Sequence, residues 1–507
     1  MSSRVQSLVD FGADGLIIDI ECHLSNNLPA IVIVGLANRA VDESKERVRG
    51  AFASSNLQIP RKRITINLAP ADIPKDSSSF DLAIAASILT ASGQLSKTLQ
   101  DTEAVLGELG LDGSVRPVRG IIGKILAGRA RGLTSFFIPA ANLPQAQLVP
   151  GISLFPLTKL QDLYFYLTTG TELTRVDTGD GINPANSLNA GEFGLSDIIG
   201  QQLAKRALEI AAAGGHNILL NGPPGTGKSM LAKALPSILP RLTAEETLEV
   251  THLHSLAGKD YDAVVASRPF RAPHHSASHV AVVGGGHSLR PGEISLSHRG
   301  ILFFDEMPEF NRSTIEALRQ PLEDRVITIA RAKDTMEYPA NFILIATSNP
   351  CPCGYYGTKK ACDCPAHLIQ KYRAKLSGPI LDRIDLYSDV HEVEHDKLLM
   401  TSHNNVDDAA VRARVAAARN LQAKRYGSST LNAAMTNRDI KKHARLTPEA
   451  KQLLDTAARS LDISARAYMR TIKVALTIAD LGGSASIEPV HITEALQYRP
   501  RTSQTVA

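Results

Sequence analysis

Residues 218–235 read Ile218-Leu219-Leu220-Asn221-Gly222-Pro223-Pro224-Gly225-Thr226-Gly227-Lys228-Ser229-Met230-Leu231-Ala232-Lys233-Ala234-Leu235. A short apolar run suited to a buried strand feeds a glycine-rich loop, and the loop feeds a helical segment. That order points free backbone N–H groups and the positive end of a helix dipole at one spot, which is how a chain holds a polyphosphate. Gly222, Pro223, Pro224, Gly225, Thr226, Gly227, Lys228 and Ser229 are therefore the candidate ATP-binding residues. The glycines let the main chain approach the phosphates, Lys228 supplies charge to the β- and γ-phosphates, and the Ser229 hydroxyl is a ligand for Mg²⁺. An α/β fold with a parallel sheet follows from this unit.

Two further strands support the reading. Gly300-Ile-Leu-Phe-Phe-Asp305-Glu306 is a buried run ending in two acids. Asp305 is placed to organise Mg²⁺ and Glu306 to polarise an attacking water. Asn341-Phe-Ile-Leu-Ile-Ala-Thr-Ser-Asn349 is a third such run. Asn349, at its end, is a candidate sensor of the γ-phosphate, although a polar residue there also serves as a turn former.

With 507 residues the chain exceeds one ordinary core, and about 150 residues per domain suggests three. Residues 1–168 alternate strand-like runs (31–34, 63–67, 135–138) with helical ones (81–91, 121–131), an α/β or α+β pattern. Residues 169–193 are polar and Gly-rich, a linker. Residues 194–400 carry the ATP motifs, and 401–507 read as almost all helix, a helical lid. The net charge of +4 permits a polyanionic partner without demanding one. No charged segment followed by an apolar stretch opens the chain, and no run of about 18 apolar residues occurs, so the protein is expected to be cytoplasmic with no membrane span.

Four of the five cysteines crowd into 351–364 as C-x-C-x₈-C-x-C: Cys351, Cys353, Cys362 and Cys364. Four thiolates can close a tetrahedral Zn²⁺ site, with Gly354 and Gly357 in the turns. Buried unliganded cysteines or a redox pair are the alternatives. A metal here is structural, because four thiolates leave no open coordination position.

The segments 222–229, Asp305-Glu306, Asn349, Lys375-Leu-Ser-Gly-Pro-Ile-Leu-Asp-Arg383-Ile-Asp385 and Ser464-Ala-Arg466 with Arg470 resemble the AAA+ superfamily, in its magnesium-chelatase-like branch. The resemblance implies that Arg383 is an arginine finger inserted into a neighbouring subunit's site, and that Arg466 is a second sensor on the helical lid, with Arg470 the weaker candidate. Each arginine also reads as a solvated helix face or a structural ion pair. A finger acting in trans implies a homo-oligomeric ring, six-membered in this superfamily.

In the N-terminal region, Gly35–Gly50, Asn67–Asp81 and Val115–Lys124 resemble the Lon-type protease domain, a ribosomal S5-like fold. Such proteases need a lysine beside a serine hydroxyl. Alignment on Pro74-Lys75-Asp76 puts Ser79 at the nucleophile, but alignment on Pro117 and Gly120 puts Ile122 where the lysine belongs. Lys124 lies two residues on. The domain reads as non-proteolytic.

Over essentially the whole chain, this order of parts resembles the ComM/YifB family, which is similar to hexameric DNA helicases that promote branch migration during natural transformation. That resemblance implies DNA, single-stranded or branched, as the partner. Residues 409–445 hold nine basic residues (Arg412, Arg414, Arg419, Lys424, Arg425, Arg438, Lys441, Lys442, Arg445) against one acid, Asp439. The cluster reads equally as a phosphate-tracking surface or a solvated face. Arg271, His274 and His275, in a Gly- and His-rich insertion that continues to His287, could also reach phosphates. Adjacent histidines in an extended chain point apart, which disfavours a metal there. A chelatase-type remodeller of a protein partner and a Lon-like protease or unfoldase remain as alternatives.

Overall fold

The structure is a computed structural model that describes residues 2–11, 14–35, 39–71, 78–179, 193–258, 263–286, 289–330, 335–358, 360–393 and 407–500. The chain forms two compact units, one of residues 1–186 and 243–266, the other of 187–242 and 267–507.

The first unit is built on an eight-stranded mixed sheet in the order Val176–Asp177, Ser153–Leu157, Ser135–Pro139, Glu103–Val105, Ser2–Phe11, Asp14–Ser25, Arg63–Ala69, Ala30–Val34. The long strands Ser2–Phe11 and Asp14–Ser25 pair antiparallel at its centre. Neither stands out in sequence, because polar and apolar residues mix along both. Arg63–Ala69 alternates as an amphipathic strand should, with Ile64, Ile66 and Leu68 buried. The apolar helix Asp81–Ala91 is buried on nearly every side, which requires a partner for its first residue. Arg47 supplies it, donating to Asp81 from Nε at 2.6 Å and Nη2 at 3.1 Å.

Two boundaries differ from the sequence reading. Val176–Asp177, inside the expected linker, forms an edge strand antiparallel to Ser153–Leu157; residues 180–192 of that linker lie outside the described residues. Residues 243–266, expected with the ATP motifs, belong to the first unit. Leu248 and Val264 pack on its apolar core, and Gln145 donates to the Ala263 carbonyl at 3.0 Å.

Of the protease-like residues, Ser79 and Lys124 are both buried, and the Lys124 amine donates to the Arg119 carbonyl. Ile122 is fully buried in an apolar core. Pro74, Lys75 and Asp76 lie outside the described residues.

The second unit carries a five-stranded sheet in the order Phe270–Arg271, Ile301–Phe304, Ile343–Ser348, Ile218–Asn221, Leu386–Asp389, with every pairing parallel. Strands covered on both faces read as continuous apolar runs, which is why Ile301–Phe304 and Ile343–Ser348 are buried throughout. Helix Gln202–Gly214 is fixed against the later helix Asp408–Tyr426, and helices Asn437–His443, Pro448–Ser460, Ala465–Leu481 and Pro489–Gln497 follow. One apolar core runs from the sheet into these helices through Ile218, Leu235, Val411, Val415 and Ile478. Two small antiparallel pairs complete the unit, Gly284–Gly285 with Arg290–Pro291 and Val326–Ala330 with Thr335–Pro339.

Candidate active site

The three central strands end side by side, and the candidate site residues follow from their C-terminal ends. Parallel register puts Asn221 opposite Ser348, and Phe304 opposite Ala346, so the loops after each strand start at one level. Gly222 leaves Ile218–Asn221 so close to the neighbouring strand that a Cβ there would sit 2.2 Å from the Val390 carbonyl oxygen. Gly225 and Gly227 turn the loop with φ of +80° and +87°, the left-handed region that only glycine enters at no steric cost. Helix Lys228–Ile238 then begins.

Lys228 is buried, and its amine donates to the carbonyls of Gly222 at 2.6 Å and Pro223 at 2.8 Å and to Asn349 Oδ1 at 3.0 Å. Burial pushes its pKa down, opposed by the nearby charges of Asp305 and Glu306. The Ser229 hydroxyl donates to Asp305 Oδ2 at 2.9 Å. Asn349 uses both ends of its amide, accepting from Lys228 and directing Nδ2 toward Glu306 Oε1 at 3.4 Å. Lys228, Ser229, Asp305, Glu306 and Asn349, taken from three separate stretches of sequence, thus meet at one point. A phosphate-binding loop, a serine and aspartate suited to Mg²⁺, and a glutamate held beside an amide fit nucleoside triphosphate and its metal.

A sixth member was not anticipated. Thr347, fully buried in the strand before Asn349, donates its hydroxyl to Asp305 Oδ1 at 2.7 Å and accepts the Glu306 backbone N–H at 2.7 Å. Glu306 itself has φ of +51°, a strained conformation for a non-glycine residue. The only sign of Thr347 in the sequence is a polar residue inside an otherwise apolar strand. Gln201 was missed as well: its amide reaches the His391 carbonyl at 2.6 Å and the Thr226 carbonyl at 3.4 Å.

Neither Arg383 nor Arg466 bonds to these residues. Arg383 donates to the Pro379 carbonyl at 2.7 Å and pairs with Glu323. Arg466 lies exposed in the first turn of helix Ala465–Leu481, with no side-chain partner among the described residues. Arg470 is structural in this arrangement: it is buried, donates to the Ile384 carbonyl at 3.0 Å and approaches Asp382 at 3.6 Å. Beside it, His216 bridges Asp385 at 3.1 Å and Thr477 at 2.8 Å.

The four knuckle cysteines place their Sγ atoms within 4.8 Å of one another. The Cys351–Cys353, Cys351–Cys362 and Cys353–Cys362 separations are 3.3, 3.6 and 3.5 Å. A disulfide needs about 2.05 Å, whereas a tetrahedron of sulfurs about 2.3 Å from Zn²⁺ has edges near 3.8 Å. The geometry therefore fits a metal tetrahedron. Gly354 and Gly357, at φ of +86° and +76°, make the turns.

The basic cluster divides in two. Arg412 donates to the Ser237 carbonyl, Arg414 to Glu209, Arg419 to the Ala212 carbonyl and Arg425 to Asp480. These arginines fasten the helix to its neighbours, although Arg414 stays half exposed. Lys424, Arg438, Lys441, Lys442 and Arg445 are exposed and make no side-chain hydrogen bond or ion pair among the described residues. In the insertion, Arg271 is taken by Glu293, with contacts of 2.5 and 2.6 Å, so it is not the open cation expected. His274 and His275 do not point apart: their ring centroids are 4.1 Å apart, because the chain turns there and His274 Nδ1 meets the Ser276 hydroxyl at 2.7 Å. His287 lies outside the described residues.

Comparison with known proteins decides the family. The chain is 41% identical to the competence protein ComM of Haemophilus influenzae, over 98% of this chain and 97% of that protein.

The chain belongs to the ComM/YifB family of magnesium-chelatase-like AAA+ proteins.

The protein YifB of Salmonella typhimurium is likewise 41% identical, over 98% of this chain and 96% of its own length. The magnesium-chelatase 38 kDa subunit of Rhodobacter capsulatus is 27% identical, over 31% of this chain and 50% of its own. Family models described as "Magnesium chelatase, subunit ChlI", "Subunit ChlI of Mg-chelatase" and "Magnesium chelatase, subunit ChlI C-terminal" match residues 194–398, 20–142 and 406–499. Among the described residues no helix is long and apolar enough to cross a membrane.

Proposed function

We propose that this ComM/YifB-family ATPase is a ring motor acting on DNA, a helicase that promotes branch migration during natural transformation or homologous recombination. The observation that carries the reading is Asn349 bridging Lys228 and Glu306. One amide that touches both the phosphate-binding cation and the water-activating carboxylate can report the γ-phosphate to the catalytic base. Lys228 would then grip the β- and γ-phosphates, Ser229 and Asp305 would hold Mg²⁺, and Glu306 would take the proton of the attacking water. Bound Mg²⁺ supplies charge neutralisation on the phosphates.

Arg383 acts as the finger across a subunit boundary in a homo-oligomeric, hexameric ring, and Arg466 acts as the second sensor on the helical lid. Glu323, the present partner of Arg383, exchanges for phosphate when a neighbour docks. DNA is favoured by the relative named for competence and by the five unpaired cations Lys424, Arg438, Lys441, Lys442 and Arg445. Cations that no carboxylate holds in a hydrogen bond or ion pair can track a backbone without reading bases. The cysteine knuckle holds structural Zn²⁺, and residues 1–168 serve as a Lon-like, non-proteolytic module.

The alternative of a chelatase-type remodeller draws on the family models, and the match over residues 20–142 means that the N-terminal unit does not separate the two readings. The length of the alignment does favour the DNA motor, since the 38 kDa subunit aligns with only 31% of this chain. The test is ATP hydrolysis by the full chain with single-stranded DNA, branched DNA or unfolded protein, followed by strand displacement with ATP. Stimulation by branched DNA together with displacement supports the motor; stimulation by polypeptide alone removes DNA from the reading.

A further inference from the structure

The knuckle is not a remote clip. Its first cysteine follows Asn349 by two residues, and its first turn rests on the phosphate-binding loop. A Cβ built at Gly354 would lie 2.5 Å from Pro224 Cδ and 2.6 Å from Pro224 Cγ. The knuckle backbone therefore touches the pyrrolidine ring in the middle of Gly222–Ser229, with no room for a methyl group between them.

Other contacts anchor the knuckle. Helix Ala366–Arg373 starts just after the last cysteine. Its Arg373 donates Nε to the Pro350 carbonyl at 3.3 Å and lies 5.2 Å over the Tyr356 ring. Tyr356 returns its backbone N–H to Cys351 Sγ at 3.3 Å.

Little apolar surface holds this segment together. Between Cys351 and Cys364 the only large side chains with apolar bodies are Tyr355 and Tyr356. Beyond these few contacts its shape depends on its four sulfurs, and metal binding in such a segment is folding free energy.

We propose that metal bound by Cys351, Cys353, Cys362 and Cys364 sets nucleotide affinity, by holding Gly354 against Pro224 and so fixing the phosphate-binding loop. This rests on the readings of the knuckle as a Zn²⁺ site and of the loop as an ATP site. Gly354 is a positioning residue: it acts through the Pro224 ring of the loop. With metal bound, the turn backs the Pro224 ring and keeps the loop's N–H groups convergent. With metal removed, that backing goes, and the connection to Asn349 loosens with it.

The experiment measures zinc by elemental analysis and binding of a fluorescent ATP analogue, both on the purified full chain. Chelation is expected to remove about one zinc per chain and to weaken nucleotide binding at least tenfold, and Zn²⁺ added back restores both. Gly354→Ala keeps all four ligands, so it retains zinc while weakening nucleotide binding at least tenfold. Pro224→Ala deletes the two ring atoms that the new methyl meets; in the double variant it recovers part of the loss, which a merely destabilised knuckle would not do. Zinc lost on chelation with unchanged nucleotide affinity overturns the coupling alone. So does Gly354→Ala with unchanged affinity. Protein purified without metal overturns the zinc reading, and metal-replete protein that binds no nucleotide overturns the ATP-site reading. If Gly354→Ala fails to fold, chelation and add-back on the unaltered chain decide the matter.

Discussion

Thr347 ties the two acids together: its hydroxyl donates to Asp305 at 2.7 Å and receives the backbone N–H of Glu306 at 2.7 Å. One side chain thereby aims the carboxylate proposed to organise Mg²⁺ and stabilises the left-handed backbone of the glutamate proposed as the base. Thr347→Val, nearly the same shape, leaves the Glu306 N–H without its partner, a cost of about 1–3 kcal/mol. ATP turnover should fall by roughly ten- to a hundredfold with little change in nucleotide affinity, and Thr347→Ser should keep most activity. Steady-state hydrolysis beside equilibrium binding checks this, and full turnover in Thr347→Val would remove the role.

Lys228 and Glu306 should separate binding from chemistry. Lys228→Ala removes the buried cation of the loop and should lower ATP affinity at least tenfold, about 1.4 kcal/mol. Glu306→Gln keeps the shape but cannot take a proton, so binding should persist while turnover drops by about 10²–10⁴. Calorimetry and phosphate release distinguish the two, and equal loss of both quantities in Glu306→Gln would contradict the assignment.

For Arg383, whose present partner is Glu323, the expectation concerns a neighbour's site. Arg383→Ala should form rings that bind ATP yet hydrolyse it roughly 10³–10⁵ times more slowly. Mixed with Glu306→Gln protein it should recover some activity, because a mixed ring contains a boundary with both groups intact. Rings that stay inactive in every mixture would argue for action within one chain.

The buried pair of His216 and Asp385 predicts an acid limb of stability. Burial pushes the Asp385 pKa up, but the hydrogen bond and charge of His216, with Arg470 and Lys473, outweigh it and hold the value below the ordinary 3.8. A carboxyl group with a depressed folded pKa contributes stability above about pH 4, its unfolded value, and loses it as pH falls through the folded one. His216→Ala removes part of the depression, so its melting temperature should start to fall at a higher pH than that of the unaltered protein. Thermal unfolding between pH 3 and 7 tests this, and superimposable acid limbs would refute it.

The divided basic cluster predicts two kinds of variant. Replacing Lys441 and Lys442 by Ala should leave the fold intact and reduce the slope of log affinity for DNA against log salt by about 1 for each phosphate that a lysine no longer neutralises. Arg419→Ala should instead lower thermal stability, since its guanidinium caps the Ala212 carbonyl with hydrogen bonds of 2.9 and 2.7 Å. An unchanged salt slope in the lysine variant would take these residues out of the DNA path.

Sequence by itself determined three of the five parallel strands, the glycine loop, the two acids, Asn349 and the grouping of four cysteines. Each is a local pattern: strands buried on both faces must be apolar runs, positive-φ turns demand glycine, and metal-binding thiols sit close in the chain. Only the tertiary structure decided which groups share a partner. It committed Arg271 to Glu293 and Arg412, Arg414, Arg419 and Arg425 to the body of the second unit. It also put Thr347 between two acids, Gln201 on His391 and the knuckle's Gly354 against Pro224. A charge or hydroxyl looks the same in sequence whether it faces water or a buried carbonyl. What it does is set by the atoms that long-range packing brings to within about 3 Å.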